Sequence, residues 1–199
     1  KEWSRERLAA FDAFLESLEN AGINIPITQA IASSTLLAGL ESRANAVCPG
    51  HLLYGISSVA PEVADIISYR PVLSAIKSRL IHVGCLQQGM RDADTGNTPG
   101  KVGVIPFGLA DGYRPVIAGA KAYALISGRR ALIKGISLEH MTLDFSDLED
   151  VHVGDEVVLL GHSGEQEITI YDSAAWQGTR AHQVMMAFDR RLSCRYLDE

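Results

Sequence analysis

Long apolar runs are missing from this sequence. No stretch of about 18 uncharged apolar residues occurs, so no membrane-crossing helix is expected. Cysteine is scarce: Cys48, Cys85 and Cys194 are an odd set at wide spacings, with no Cys-x-x-Cys pair. That excludes a disulfide framework and points to a reducing cytoplasm. Basic residues are outnumbered, 18 to 24, for a net charge of −6. With no basic cluster, a nucleic-acid partner is not expected. A small anion is still open to it, because backbone amides hold phosphate without net positive charge. The histidines and cysteines show no metal-ligand spacing, and no dinucleotide-type glycine loop opens a long helix. There is no internal repeat, no low-complexity tract and no apolar leader. The chain starts at Lys1 without an initiator methionine, which suggests a piece of something longer.

The composition is that of a globular protein, with 199 residues, 47% hydrophobic and 21% charged. Leu8, Phe11, Leu15 and Leu18 recur at spacings of three and four, which predicts an amphipathic helix over 4–20, with Ser4 as N-cap and Gly22 as stop. A short helix is expected over 33–40, and a strand and turn over 46–55. Strands alternating with helical stretches suggest a parallel β/α arrangement. The character changes near residue 71, and the boundary between the two parts falls within 68–98. From there to 171 the pattern is strand and turn. Ser127-Gly128 predicts a hairpin, and Met141, Leu143 and Phe145 alternate with polar residues. Residues 89–100 read as a loop. Helices follow over 173–177 and, with Thr179 as N-cap, to about Phe188. The fold class is therefore α+β, mainly β: a partial β/α barrel segment, then a small β-barrel-like domain with C-terminal helices.

Few residues announce chemistry by themselves. Ser33-Ser34 opens a helix, where capping is the ordinary role and phosphate binding the alternative. Pro49-Gly50-His51 is a tight turn that could also expose amides to an anion. Glu139 and His140, adjacent in a strand, would face opposite ways, leaving His140 at the surface.

The order of segments says more. Residues 105–114, Ile-Pro-Phe-Gly-Leu-Ala-Asp-Gly-Tyr-Arg, resemble the Gly-Tyr-Ala-Asp-Gly-aromatic segment of alanine racemases. Residues 134–144 are similar to their Gly-Arg-Val-Ser-Met-Asp-Gln segment, and 153–161 to their Val-Gly-Asp-x-Val-x-Leu-x-Gly. Residues 167–179 follow their Ile-Thr…Ala-Gly-Thr tail, and 47–55 their Val-Arg-Pro-Gly-x-x-Leu-Tyr-Gly. The resemblance spans essentially the whole chain in the family's order. It implies that residues 1–70 are the last part of a barrel binding pyridoxal 5′-phosphate (PLP), and that 71–199 are the β domain. The earlier barrel, with the lysine that bonds to PLP, would be the N-terminal half of the same protein.

Carried over by position, the phosphate cup would use Ser33, Gly50, His51 and Tyr196. Cys48 stands where the family has the arginine facing the pyridine nitrogen. Leu109 stands at the catalytic tyrosine position and cannot transfer a proton. Leu138 replaces the methionine that helps bind the substrate carboxylate. The family's head-to-tail homodimer is the implied assembly, and a small amino acid the implied substrate. Two functions of different class follow. One is the C-terminal portion of a PLP-dependent racemase interconverting L- and D-amino acids, inactive by itself. The other is a non-catalytic or divergent PLP-binding homologue, for which Leu109 and Cys48 speak.

Overall fold

A computed structural model describes residues 2–57, 59, 70–86, 100–188 and 191–197. The chain divides into two compact units, 1–72 and 73–199.

The first unit opens with helix α1 (Glu2–Asn20), whose periodic leucines Leu8 and Leu15 are buried. The helix starts before Ser4, so Ser4 lies inside it rather than capping it. Gly22, at φ +77°, turns the chain out of the helix, as only glycine does without strain. Strand β1 (Gln29–Ala32) leads straight into the short helix α2 (Ser33–Leu37), and β2 (Ala46–Cys48) into α3 (Gly50–Leu53). The two strands pair in parallel, Ala32 opposite Cys48. Asn45 aligns them at their entry: its Oδ1 accepts from the Thr28 amide at 2.9 Å and its Nδ2 donates to the Pro26 carbonyl at 2.9 Å. Helix α1 is tied to the segment before β2 by Asp12, whose Oδ1 accepts from the Ser42 hydroxyl and the Arg43 amide. Among the described residues, Ile31, Leu37 and Ile56 join the two leucines as the unit's buried apolar side chains.

The second unit is a curled antiparallel sheet followed by helices. Its strands are β3 (Ile76–Arg79), β4 (His82–Leu86), β5 (Gly100–Ile105), β6 (Tyr123–Ile126), β7 (Arg129–Ile136), β8 (Met141–Asp144), β9 (Glu156–Ser163) and β10 (Gln166–Ile168). The neighbours run β10-β9-β6-β7-β8-β5-β4, and β3 also pairs with β9. Leu80 and Ile81 connect β3, which pairs with β9, to β4 at the far end of the run of pairings, so the sheet curls. Inside lie Ile105, Phe107, Met141, Leu143, Phe145, Val157 and Leu159. The alternation in 141–145 is the cause: Met141, Leu143 and Phe145 point in, while Thr142 and Asp144 are half-buried. The β6–β7 hairpin turns on Ser127 (φ 49°) and Gly128 (φ 75°), the two positive φ values of a tight primed turn.

Four sequence expectations are corrected here. The helix expected over 33–40 stops at Leu37, and Gly39 (φ 63°) turns the chain away. Glu139 and His140 sit in the turn between β7 and β8, not in a strand: the Ser137 hydroxyl accepts from the His140 amide and donates to its carbonyl, both at 3.1 Å. Helix α4 (Ile170–Trp176) begins earlier than 173, because Thr169 caps it, its Oγ1 accepting from the Asp172 amide at 3.1 Å. Helix α5 (Ala181–Ala187) has Arg180 as its N-cap, and the Thr179 hydroxyl donates instead to Gln183 Oε1 at 2.7 Å. The expected loop over 89–100 lies outside the described residues except for Gly100, which begins β5.

Candidate functional site

Two adjacent parallel strands, each running directly into a helical turn, bring their carboxyl ends side by side. In parallel β/α folds that is where ligands are held. Ser33 follows β1 and is buried; Gly50 and His51 follow β2. The Ser33 hydroxyl oxygen accepts from the His51 amide at 3.1 Å, joining the two strand ends. Its ordinary role as a cap is not what the structure shows: the N-cap of α2 is Ala32, with no side-chain cap bond. Gly50 is open on its outer side, with no heavy atom within 4 Å of where a Cβ would stand. The Ser33 hydroxyl hydrogen and the Gly50 amide are donors suited to a phosphate dianion, with open space beside the glycine to admit it and the His51 amide holding the Ser33 oxygen in place. Cys48, at the end of β2, is exposed with a free thiol.

The second unit carries the other residues named from sequence. Leu109 lies in a short 3-10 turn, Leu109–Asp111, between Gly108 and Gly112. Its amide donates to the Ser137 carbonyl at 3.0 Å, and the Ala110 amide to the Leu138 carbonyl at 2.8 Å. The 108–112 turn is thus docked on the β7–β8 turn, which brings Leu109 and Leu138 onto neighbouring backbone. Gly108 is required there, since a Cβ would lie 2.5 Å from the Ser137 carbonyl oxygen. Both leucines face solvent, at 40% and 65% exposure. Tyr196, at 92% exposure, lies in the C-terminal segment beyond α5. The structure therefore joins Ser33 to His51 in the first unit and, in the second, sets the turn of Leu109 against the turn of Leu138.

Tyr113, the nearest phenol to Leu109 in sequence, is buried edge-on to Phe107. Burial pushes its pKa up to about 12, against a smaller downward pull from the neighbouring Gln177 side chain. The contact falls short of a properly formed hydrogen bond, and Tyr113 Oη and Gln177 Oε1 are both buried without a partner among the described residues. With 3% exposure, the Tyr113 phenol offers no surface to a substrate.

Two ionic features were not singled out from sequence. Asp111 is buried. Its Oδ2 accepts from the Gly108 amide at 2.7 Å, and its Oδ1 from Arg191 Nε at 3.0 Å and Nη2 at 2.9 Å. The sequence signals were an aspartate three residues after a glycine at a turn and its place in the Ala-Asp-Gly segment. Lys134 pairs with Asp144 at 3.0 Å across β7 and β8. Burial raises the Asp144 carboxyl, but the hydroxyl and amide of Ser146 and the Lys134 ammonium outweigh it, leaving it below the usual carboxylate range. Elsewhere in this unit a cavity of about 350 Å³ is lined by Cys85, Lys101, Phe145, Asp150 and His152 among others, none of them named as a site residue from sequence. No group of histidine, cysteine and carboxylate side chains suited to a metal occurs among the described residues.

The family profile described as "Alanine racemase, C-terminal domain" matches residues 74–196. An alanine racemase of Thermodesulfovibrio yellowstonii is 32% identical over 100% of this chain and 53% of its own length. One of Halothermothrix orenii is 29% identical over 98% of the chain and 52% of its own. Among solved structures, the alanine racemase of Clostridium difficile 630 in complex with cycloserine superposes with a TM-score of 0.82, at 25% identity, over 96% of this chain and 51% of that one. The biosynthetic alanine racemase of Pseudomonas aeruginosa gives a TM-score of 0.73 at 27% identity. The chain thus spans about half the length of the curated relatives it matches.

Proposed function

The chain belongs to the alanine racemase family, and we propose that it is the C-terminal portion of a PLP-dependent amino-acid racemase, its 1–70 segment the end of the cofactor-binding barrel and 71–199 the β domain. The observation that carries this proposal is the Ser33–His51 bond across the ends of two parallel strands, beside the open face of Gly50. Ser33 and Gly50 would hold the cofactor's phosphate through a hydroxyl and a backbone amide, the His51 amide would orient that hydroxyl by donating to its oxygen, and Tyr196 is the further phosphate residue that the family resemblance implies. PLP, when bound, supplies an electron sink that acidifies the α-hydrogen of an amino acid. The Cys48 thiol would lie toward the pyridine nitrogen, a weaker and uncharged partner than a guanidinium.

Leu138 would help enclose a small substrate such as alanine, giving D-alanine as one product. Leu109 would stand on one face of the α-carbon, where it excludes water but moves no proton. Proton transfer on that face must then come from another group or be slow. The N-terminal half of the same protein would supply the rest of the barrel. A head-to-tail pair of complete protomers would bring Leu109 and Leu138 to a neighbour's cofactor. No described helix is long and apolar enough to cross a membrane, and three exposed free thiols suit the reducing cytoplasm.

The test is a titration of the isotopically labelled chain followed by amide resonances. PLP and inorganic phosphate should each shift the amides of Ser33, Gly50 and His51, and pyridoxal without its phosphate should not. Equal shifts with pyridoxal, or shifts confined to other residues, would overturn the cup.

A further inference from the structure

We propose that Asp111 and Arg191 are positioning residues, an ionic clip that fastens the C-terminal segment bearing Tyr196 to the turn bearing Leu109.

The clip is built from both sides of one carboxylate. Oδ2 is spent on the Gly108 amide and closes the turn on itself. Oδ1 is left for the fork of Arg191, 80 residues along the chain. A buried carboxylate is tolerated where such charged and amide donors surround it. The approach of the two segments is set by backbone as well. Gly112 has φ +98°, and a Cβ there would lie 2.0 Å from the Ala187 carbonyl oxygen. Phe188, just past α5, packs on Phe107 with ring centroids 6.4 Å apart.

Beyond that point the segment has little to hold it. Residues 193–197 have no regular structure and are exposed, and Tyr196 and Leu197 bury almost nothing. Leu192 is half-buried against the core and fixes depth. An apolar contact is non-directional, however, whereas the guanidinium fork fixes orientation. The path of the chain toward Tyr196 is therefore set at Asp111, in the same turn that presents Leu109. What the clip serves rests on the cup assignment of Tyr196 above; the clip itself does not.

Cys194 offers a natural reporter, three residues past Arg191. With Cys48→Ser and Cys85→Ser removing the other thiols, a nitroxide on Cys194 reports local motion by electron paramagnetic resonance. The parent should show a restricted label. Arg191→Gln and Asp111→Asn should each shorten its rotational correlation time several-fold, while the circular dichroism of the β unit stays unchanged. Arg191→Lys should recover part of the restriction, since an ammonium still pairs with Oδ1 but cannot fork. Lys77→Gln, which breaks the exposed Lys77–Glu156 pair, should change nothing. Should Asp111→Asn fail to fold, Arg191→Gln alone decides, because it leaves the Gly108–Asp111 bond in place. A label as mobile in the parent as in the variants, or unaffected by Arg191→Gln, would overturn the clip. No cofactor enters the measurement, so its failure is separate from failure of the phosphate cup.

Discussion

Tyr113 shows how burial decides what a residue can do. Its phenol is neutral in the fold and held so by desolvation, with a pKa near 12. A raised acid pKa stabilises the fold below the ordinary tyrosine value of about 10 and loses that contribution as pH rises from there through about 12. Spectrophotometric titration should therefore show a phenol ionising near pH 12, and Tyr113→Phe should remove that step. The same substitution should change stability by less than about 1 kcal/mol, because the hydroxyl has no well-formed bond to lose. A fall of about 3 kcal/mol on chemical denaturation would mean that the hydroxyl is bonded after all. Asp144 works in the opposite sense. Its depressed pKa adds stability above the ordinary carboxylate value, and the contribution is lost as pH falls through the lower folded value. Asp144→Asn should flatten the acid limb of the stability curve below about pH 4 and leave its alkaline limb as it was.

At the scale of elements, legibility followed periodicity and turn chemistry. Helix α1 was readable because its leucines repeat at helical spacing with charges between them, and β8 because apolar and polar residues alternate over four positions. The β6–β7 hairpin was readable because Ser127-Gly128 accepts two positive φ values. Helix ends were less so. Thr169 and Asp172 form a capping box that starts α4 at Ile170, three residues before the expected start at 173, hidden because Ile168, Thr169 and Ile170 also read as strand. Thr169→Ala should lower stability by about 1 kcal/mol, and full retention on chemical denaturation would count against the cap. Gly112 is a stricter case, with a left-handed φ and the Ala187 carbonyl in the way of any Cβ. Gly112→Ala should lower stability by more than about 2 kcal/mol or displace the end of α5; the melting transition and the Phe188 resonances would show which. Asp111 and Arg191 were not legible, since nothing local in a sequence joins two residues so far apart.

At the scale of the whole molecule, the two units differ in how much they can hold by themselves. The second has a curled sheet around a buried apolar core, while the first has two paired strands among its described residues, too few for independent stability. A fragment of residues 73–199 should fold cooperatively, and one of residues 1–72 should not, as judged by calorimetry. The candidate site was legible mainly through the order of segments along the chain. The contact that makes the first strand ends a site, Ser33 to His51, spans 18 residues and became visible only when β1 and β2 were seen to pair in parallel. As proposed above, these units would complete a PLP racemase in which Leu109 stands where a proton shuttle belongs. The measurement that decides this is α-hydrogen exchange of D- and L-alanine in deuterated buffer, catalysed by the complete protein loaded with PLP. Exchange should be slow on the Leu109 side and rise by about 100-fold or more in the Leu109→Tyr variant, the usual gain from a positioned acid or base. No gain in that variant, with PLP demonstrably bound, would contradict it.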